Sequence, residues 1–407
     1  MKLTAAQRAM LEGGAGPTAQ RMMQLLHRVG QAMHAQDFIP IRSAHVGLSY
    51  SSLGPAGVHW LERLAANGAQ VCVPTTTNVL SAERRQDTNV DNRNIEMQER
   101  ALSALVCMGA DANCSCNPFS QGYVPRFGES LAWSESACAP YVNGVLGART
   151  NREGVTALAS ALTGVTPNYG MHLVSERRAR LVVRVKAELA DLHHFHLLGA
   201  WVARQCAENI PAIVGLRPET AFENLYGLCA AFSTYSPLAI LHMVGISPEA
   251  PTVDAALNVG RPYAHAKSPP IIDVTAADLE QQRQITNQCK EAATGDIVII
   301  GCPHATLNQL QEIFTLMKGK SISPNKAFFI HTNSLIRAEA SRMGVWHGLI
   351  KAGITVTSDT CIYVSIYQHP RSARVLTNSA KMAHLMSSRG FRAALASTAD
   401  CVLAATK

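Results

Sequence analysis

A series of short apolar runs in the second half of the chain, separated by helical patterns, constrains the fold more than any other feature. Five runs predict buried β-strands: Ala212–Val214, Leu238–Met243, Ile297–Ile300, Ala327–Ile330 and Ile354–Thr357. Helical periodicity fills the intervals most clearly over Leu307–Met317 and Ser334–Ala352. Strands that alternate with helices form largely parallel sheets that are covered on both faces. The sequence therefore predicts an α/β fold.

The first half of the chain adds further helices and some shorter strands. The predicted helices are Ala5–Leu11, Pro17–Met33, Gly57–Ala66 and Ile95–Cys107. The predicted strands are Ser43–Val46, Gln70–Val73, Gly170–Leu173 and Leu181–Val185. Breaks in the pattern place one domain boundary near Ala250.

The composition is that of a folded protein that binds a small molecule rather than nucleic acid. With 407 residues, the chain is long enough for two or three packed domains. Because 47% of the residues are hydrophobic and only 16% are charged, we expect no extensive disorder. The net charge of +7 is dispersed, with no long basic run interleaved with aromatic residues, so it favours a small anionic ligand.

The expected location is the cytoplasm. No apolar stretch is long enough to span a membrane, and the N-terminus lacks the apolar core of a signal peptide. In a reducing compartment, the eleven cysteines are expected to be buried thiols or metal ligands rather than disulfides.

Two cysteines lie in the loops just after predicted strands, where α/β proteins bind their ligands. Cys302 follows the third of the apolar runs, Cys361 follows the fifth, and Cys116 is a third candidate in a separate loop. Three thiolates from separate loops suit an iron–sulfur cluster with one iron open to substrate. The paired C-x-x-C spacing typical of a structural zinc site is absent. The alternative is that each cysteine is a small buried apolar side chain.

The segment from Cys116 to Gly154 is dense in side chains that bind acids. They are Arg126, Arg149, Thr150, Asn151 and Arg152. Thr150 followed by Glu153 predicts a capping box that opens a helix over Val155–Leu162. Such a helix start offers free N–H groups to an anion. The alternative is an ordinary loop before a surface helix.

Two other strand ends carry polar side chains. Ser43 and His45 lie on the same side of one strand, because strand side chains alternate, and they are candidates for catalysis. The alternative is an ordinary polar strand end. Asn378 and Ser379 follow another strand end and open a helix that carries Lys381, so these donors can hold a carboxylate.

Other motifs point away from several protein classes. The run Asp191–His196 contains three histidines, but it leads into an apolar helix and has no glutamate at metalloprotease spacing. The sequence has no P-loop, no G-x-G-x-x-G after a strand and no G-x-S-x-G. Kinases, dinucleotide dehydrogenases and α/β-hydrolases therefore lose their usual support.

Taken together, short motifs along nearly the whole chain resemble those of the aconitase X family, a divergent branch of the aconitase superfamily. In chain order they are Ser43-Ala44-His45-Val46, Pro74-Thr75-Thr76, Cys116-Asn117-Pro118-Phe119, Pro125-Arg126-Phe127-Gly128-Glu129, Ala132-Trp133-Ser134-Glu135-Ser136, Leu146-Gly147-Ala148-Arg149-Thr150-Asn151-Arg152-Glu153-Gly154, Thr166-Pro167-Asn168-Tyr169-Gly170, His242-Met243-Val244-Gly245, Pro248-Glu249-Ala250-Pro251-Thr252, Gly301-Cys302-Pro303-His304, Asp359-Thr360-Cys361 and Thr377-Asn378-Ser379-Ala380-Lys381. One motif departs from the family pattern, since Cys116-Asn117-Pro118-Phe119 stands where the family usually has Cys-Thr-Pro-Tyr.

The resemblance implies an aconitase-like catalytic core of several αβα sandwich domains with mostly parallel sheets. We expect an N-terminal α/β region over residues 1–250 and a C-terminal α/β region over residues 251–407. The family also uses a swivelling domain, often a separate small subunit, which supplies the serine that abstracts a proton. No such domain is recognisable here, so we expect a small swivel-domain subunit as partner.

The resemblance further implies a hydro-lyase that removes water from a small hydroxy acid. Its cofactor would be an iron–sulfur cluster (2Fe–2S or 4Fe–4S) or a mononuclear iron, with Cys116, Cys302 and Cys361 as metal ligands. The implied catalytic residues are Ser43, His45 and Lys381. The implied substrate-binding residues are Thr76, Arg149, Thr150, Asn151, Asn378 and Ser379.

Residues 78–85 resemble the hydroxyproline branch of the family, which favours dehydration of cis-3-hydroxy-L-proline to a pyrroline carboxylate. One alternative is dehydration of mevalonate 5-phosphate, whose phosphate Arg84 and Arg85 would bind. Another is a non-catalytic binding subunit that keeps the fold.

Overall fold

The computed structural model describes residues 1–82, 92–260, 269–287, 295–365 and 372–407. The helices in these ranges are α1 (Ala5–Glu12), α2 (Gly16–Ala32), α3 (Tyr50–Ala66), α4 (Asn92–Cys107), α5 (Cys138–Pro140), α6 (Thr156–Thr163), α7 (Leu192–Cys206), α8 (Phe222–Tyr235), α9 (Val253–Leu257), α10 (Ala276–Thr286), α11 (Leu307–Leu316), α12 (Ser334–Arg342), α13 (Val345–Lys351), α14 (Ala380–Ser388) and α15 (Thr398–Thr406). Within them, no helix combines the length and the hydropathy of a membrane span.

The strands are short, and most of them pair in parallel. They are β1 (Phe38–Pro40), β2 (Ala44–Val46), β3 (Thr75–Thr77), β4 (Ala132–Trp133), β5 (Val165–Pro167), β6 (Leu181–Val185), β7 (Pro211–Val214), β8 (His242–Met243), β9 (Ile271–Val274), β10 (Ile297–Ile300), β11 (Ala327–Thr332), β12 (Thr355–Ser358), β13 (Arg374–Thr377) and β14 (Arg392–Leu395). Three parallel sheets have the orders β3-β2-β4, β8-β7-β6-β9 and β12-β11-β10-β13-β14, while β1 and β5 pair antiparallel.

The five-stranded sheet shows why these residues form an αβα sandwich. Along β10, Val298 and Ile300 pack into one apolar cluster with α11, α12, α13 and α15. Ile297 and Ile299 point to the other face and pack against Met382 and its neighbours on α14. A strand that buries both faces must be apolar throughout, as β10 is. The prediction of an α/β fold with mostly parallel sheets is confirmed.

The other two parallel sheets have cores of their own. The four-stranded sheet packs against α7 and α8, which contact each other extensively through Leu198, Trp201 and Phe232. In the first region, α2, α3, α4 and α6 enclose a separate core beside β2. The expected boundary near residue 250 stays a prediction.

Several local predictions were wrong, each for an identifiable reason. The strand predicted at Gln70–Val73 is coil, because its backbone bonds to the ends of α4 and α6, and the buried β-branched run Thr75–Thr77 forms the strand instead. Gly170–Leu173 contains a 3₁₀ turn. The predicted helix Ser334–Ala352 is two helices, because Gly344 adopts a left-handed conformation between them.

The predicted capping box is also absent. Helix α6 begins at Thr156, and its N-cap residue makes no side-chain cap. Thr150 instead accepts a hydrogen bond from the Trp133 amide at 3.1 Å, and Glu153 pairs with the Thr156 hydroxyl. Thr150 therefore bonds to a residue 17 positions away and Glu153 to one three positions away, and neither takes part in the predicted capping box.

Candidate active site

The three predicted cysteine ligands come together from three loops. Cys302 follows β10, Cys361 follows β12, and Cys116 lies in the loop beyond α4. All three belong to one apolar cluster, with Cys302 and Cys361 buried and Cys116 half-buried. The structure thus brings together thiols that are up to 245 residues apart in the chain, as Cys116 and Cys361 are.

Backbone contacts fix these loops against one another. The Ser115 amide donates to the carbonyl of Thr77 at the end of β3, at 3.1 Å. Leu80, also beyond β3, donates to the carbonyl of Asp359 at 2.8 Å. Gly301 has φ +102°, and a Cβ there would collide with the carbonyl of His331, so only glycine lets this loop pass.

Burial raises the pKa of all three thiols, and their mutual proximity adds to the effect at Cys116 and Cys302. For Cys302 the pKa rises to about 12, although Lys381 and a hydrogen bond from Ser379 oppose the shift. Without a cation among them, the three sulfurs therefore stay protonated. A bound metal ion would oppose this shift and stabilise the thiolate forms.

The donor set fits an iron–sulfur centre. Thiolates are the usual ligands of such clusters, and hydrogen bonds to their sulfurs tune them. The His304 amide donates to Cys116 Sγ at 3.2 Å, and the amides of Tyr363 and Val364 donate to the sulfur of Cys361. The three sulfurs do not all lie within 4.8 Å of one another.

A buried ion pair lies beside the thiols. Lys381 Nζ is 2.6 Å from Glu135 Oε1 and 3.1 Å from Ser136 Oγ. Burial pushes the pKa of Glu135 up, but Lys381 and bonds from Ala137 and Asn78 outweigh it and hold this pKa at about 2. Burial also opposes the charge of Lys381, yet Glu135 and the Cys302 sulfur raise its pKa overall. Both side chains are therefore charged at neutral pH.

His45 is fully buried on β2 and faces Thr76 on β3. Its Nδ1 is 2.8 Å from Thr76 Oγ1, whose hydroxyl donates to the Ala44 carbonyl at 3.3 Å. This pattern assigns the proton to Nδ1 and leaves the lone pair on Nε2, which has no partner. Burial lowers the pKa of His45 to about 4, against the opposing charge of Glu135, so the ring is neutral.

The structure places Ser43 at the amino end of β2, just before its first residue. Its hydroxyl accepts a hydrogen bond from Trp133 Nε1 at 3.1 Å. There it lines a cleft of about 590 Å³ with Arg42 and Arg126, and none of the three cysteines lines this cleft. A second cleft, of about 390 Å³, opens at the carboxyl ends of β2, β3 and β4, and is lined by Asn78 and Ser134.

The polar side chains of residues 149–151 hydrogen-bond mainly to backbone groups. Arg149 reaches the His172 carbonyl at 3.5 Å, and its Nε is buried without a partner. Asn151 donates to the Tyr169 carbonyl and accepts from the Met171 amide. The structure does not bring these side chains into contact with the three thiols, and their role as substrate ligands stays a prediction.

The start of α14 contributes two predicted residues. Ser379 caps the helix by accepting from the Met382 amide at 3.2 Å, and it also hydrogen-bonds the Cys302 thiol. Asn378 donates to Thr398 Oγ1 at 3.2 Å and lines a small cavity with Cys302. The helix start, with Lys381 in its first turn, therefore lies beside the Cys302 thiol. The predicted order of strand end, polar donors and helix is present, and the role of these donors in binding a carboxylate stays a prediction.

Sequence reasoning missed Glu135 and Asn78 as site residues. Asn78 directly follows β3 and Glu135 lies two residues after β4, so the strand-end signal was present, but the strands are too short to be recognised. Arg84 and Arg85, the predicted phosphate ligands, lie outside the described residues. In the described ranges, one group of three or more His, Cys, Asp or Glu side chains has ligand atoms that all lie within 4.8 Å of one another. It consists of Asp191, His193 and His194, at the start of α7, where Asp191 is exposed.

Comparison with known proteins identifies the family. Models of the first, second and third aconitase X domains match residues 1–175, 179–284 and 295–407. A phosphomevalonate dehydratase large subunit from Thermococcus kodakarensis is 31% identical, over 96% of each chain. Cis-3-hydroxy-L-proline dehydratases from Pseudomonas aeruginosa and Hypocrea jecorina are 30% and 31% identical, and the matches cover 70% and 63% of their lengths.

A solved structure agrees with these sequence matches. The crystal structure of Thermococcus kodakaraensis aconitase X, in its holo-form, superimposes with a TM-score of 0.87 at 31% identity, over 100% of both chains. The resemblance drawn from the short motifs is confirmed: this chain belongs to the aconitase X family.

Proposed function

We propose that this chain is the large subunit of a dehydratase that removes water from a small hydroxy acid, with cis-3-hydroxy-L-proline as the favoured substrate. The observation that carries the proposal is the meeting of Cys116, Cys302 and Cys361 beside the Lys381–Glu135 pair. Thiols for a metal and a buried cation for a carboxylate then share one site.

The proposed cofactor is an iron–sulfur cluster held by the three cysteines. Two thiolates bound to a single ion at about 2.3 Å can be no more than about 4.6 Å apart, and the three sulfurs here are spread more widely. Their spacing therefore favours a cluster over the mononuclear alternative. When bound, such a centre supplies a Lewis acid for the departing hydroxyl, which is a poor leaving group in water.

Lys381 is proposed to bind the substrate carboxylate. Its ammonium group has three donors, of which Glu135 and Ser136 use two in the structure. Glu135 fixes the position of Nζ and keeps it protonated in a nearly buried place. A cation held there stabilises the negative charge that develops next to the carboxylate when the neighbouring C–H proton leaves.

His45 is proposed to assist the hydroxyl as it departs. Because Nδ1–H is committed to Thr76, Nε2 is the ring atom available to exchange a proton. Removal of water breaks a C–O bond and a C–H bond, so the proton that leaves carbon must reach the leaving oxygen. The neutral ring carries no proton on Nε2, so Nε2 would first take up that proton from the base and then pass it to the oxygen. Thr76 thus orients the ring, while Ser43 remains the third proposed catalytic residue.

The remaining proposed substrate ligands fall into two groups. Asn378 and Ser379, at the start of α14, lie beside the Cys302 loop. Arg149, Thr150 and Asn151 lie on the segment that follows β4 and bond mainly to backbone. We retain both groups as proposals, and the first has the more direct support.

A small subunit is proposed to complete the site and to supply the proton-abstracting base. The Thermococcus relative is named a large subunit, and the chain spans only 63–70% of the two hydroxyproline dehydratases, so those proteins contain additional sequence. A cytoplasmic location is part of the proposal, because the cysteines of the described residues are free thiols.

Mevalonate 5-phosphate is the second candidate substrate. Its support is the end-to-end match of this chain to a phosphomevalonate dehydratase large subunit.

The test is anaerobic reconstitution of the chain with its small subunit, followed by product analysis with both substrates. We expect conversion of cis-3-hydroxy-L-proline to a pyrroline carboxylate. Exclusive conversion of mevalonate 5-phosphate would establish the second candidate. A fully iron-loaded complex that dehydrates neither compound would contradict the enzyme proposal and favour a binding subunit.

A further inference from the structure

One buried histidine contacts all three cysteine loops. His304 lies two residues after Cys302. Its Nδ1 is 3.1 Å from the hydroxyl of Ser115, the residue before Cys116. Its Nε2 is 2.8 Å from the carbonyl oxygen of Thr360, the residue before Cys361. A single imidazole therefore spans the loops that carry the three sulfurs.

The main chain of His304 adds two more links to the Cys116 loop. Its amide donates to Cys116 Sγ at 3.2 Å. Its carbonyl accepts from Asn117 Nδ2 at 3.4 Å, and Ser115 Oγ in turn accepts from the Asn117 amide at 3.0 Å. These contacts form a closed network around the first sulfur.

The hydrogen bonds determine which ring nitrogen holds the proton. A backbone carbonyl can only accept, so Nε2 carries the hydrogen that reaches Thr360. Nδ1 of the neutral ring then accepts the hydrogen of the Ser115 hydroxyl. Each nitrogen has one partner, and each partner belongs to a different cysteine loop.

In the described ranges, each of the other buried histidines has at least one ring nitrogen without a partner. His45 and His331 each use Nδ1 and leave Nε2 without a partner, while His242 uses Nε2 and leaves Nδ1 without one. Both ring nitrogens of His304 are engaged although the residue is 1% exposed. A fully satisfied polar group in the interior specifies one arrangement of its neighbours.

We propose that His304 is a positioning residue that holds the three cysteine loops in register before iron binds. The inference rests on the proposed function only in taking those cysteines as the iron ligands. Preorganised ligands bind a metal more tightly because less loop ordering has to occur on binding.

Three substitutions separate the two ring contacts. His304→Leu removes both. His304→Gln places an amide donor near the Thr360 carbonyl but leaves Ser115 without its acceptor. His304→Asn places a carbonyl oxygen near Ser115 but cannot reach Thr360. The matched control is His242→Leu, because His242 is also buried and donates from Nε2 to a backbone carbonyl, that of Arg177, at 2.6 Å.

The first readout is the alkylation rate of each cysteine in the iron-free full-length chain, measured by peptide mass spectrometry. We expect His304→Gln to accelerate modification of Cys116 selectively and His304→Asn to accelerate that of Cys361. The Leu variant should accelerate both, and the His242 control neither. If the Leu variant does not fold, the Gln and Asn variants carry the test.

The second readout is iron affinity, which we expect to fall about 10- to 100-fold in the Leu variant and less in the other two. If the Gln and Asn variants change the alkylation rates of Cys116 and Cys361 by the same factor relative to wild type, or change neither, the proposal is overturned. A wild-type chain that takes up no iron would refute the proposed cofactor, while the alkylation pattern would still decide the role of His304.

Discussion

The three-stranded and five-stranded sheets contain the same cross-strand pair. His45 on β2 and Thr76 on β3 occupy opposite positions, as do His331 on β11 and Thr357 on β12. In both pairs Nδ1 meets the threonine hydroxyl, at 2.8 and 2.6 Å, and Nε2 is buried without a partner. Parallel register alone therefore produces this arrangement twice.

The surroundings of the two pairs differ. His45 lies within range of the Glu135 charge, whereas His331 is affected by His304, the residue that links the cysteine loops. The five-stranded sheet supplies two thiols and Lys381, and the three-stranded sheet supplies His45 and Glu135. The comparison shows that the pair itself specifies no chemistry, and that the groups at the neighbouring strand ends do.

The largest expected effect is loss of iron when a thiol of the five-stranded sheet is removed. Cys302→Ala or Cys361→Ala should lower the iron affinity by more than the roughly 10- to 100-fold typical of changes to residues that contact a ligand, because a ligand itself is lost. The measurement is iron per chain after anaerobic reconstitution. Cys401→Ala, a buried thiol on α15 of the same region, is the control and should retain full iron. Full iron in all three variants would contradict the ligand assignment.

The next effect concerns the ion pair that joins the two sheets. Lys381→Met leaves the buried Glu135 carboxylate without its cation, so we expect a loss of about 3–5 kcal/mol in the free energy of unfolding. The double variant Lys381→Met/Glu135→Gln should recover much of this loss. Urea denaturation of the iron-free chain measures both values. If the loss of unfolding free energy in the double variant equals the sum of the losses in Lys381→Met and Glu135→Gln alone, the two side chains are not coupled.

A smaller effect distinguishes the two histidines directly. If His45 assists proton transfer, His45→Gln should reduce kcat of the two-subunit enzyme by about 100-fold or more. His331→Gln should change kcat only a few-fold, since His331 is not among the proposed catalytic residues. Steady-state kinetics with the accepted substrate provide the measurement, with iron content checked for each variant. An equal loss of kcat in both variants would show that His45 has no special role in proton transfer.

The smallest effect is a pH dependence of stability. Burial lowers the pKa of His45 to about 4 and that of His331 to about 3, from 6.5. As the pH falls below 6.5 the unfolded chain takes up these protons first, so each histidine reduces stability by up to about 1.4 kcal/mol per pH unit until its folded pKa is reached.

Urea midpoints of the iron-free chain between pH 7 and pH 3.5 test this. Each Gln variant should show a shallower decline than wild type, and the His331 effect should continue to lower pH than the His45 effect. Unchanged slopes in both variants would mean that the two rings are not held neutral by burial.

The sequence predicted the cysteine loops of the site better than it predicted Glu135 and the donors Arg149 and Asn151. Cys302 and Cys361 follow apolar strands that are recognisable in the chain, and parallel strands bring their carboxyl ends to one edge. Glu135 follows a strand of only two residues, which has no periodicity to detect. The sequence suggested that Arg149 and Asn151 are free donors. Polar groups of a buried coil segment must find hydrogen-bond partners among their neighbours in space. For these two residues, the partners are His172 and Met171, which are too distant in sequence to be predicted.

Three separate loops are proposed to present their sulfurs to one iron–sulfur centre. Iron K-edge X-ray absorption of the anaerobically loaded chain measures the atoms around that iron. We expect sulfur backscattering together with an iron–iron distance, and loss of both in Cys302→Ala. A first shell of only nitrogen and oxygen, or a spectrum unaffected by that substitution, would contradict this proposal.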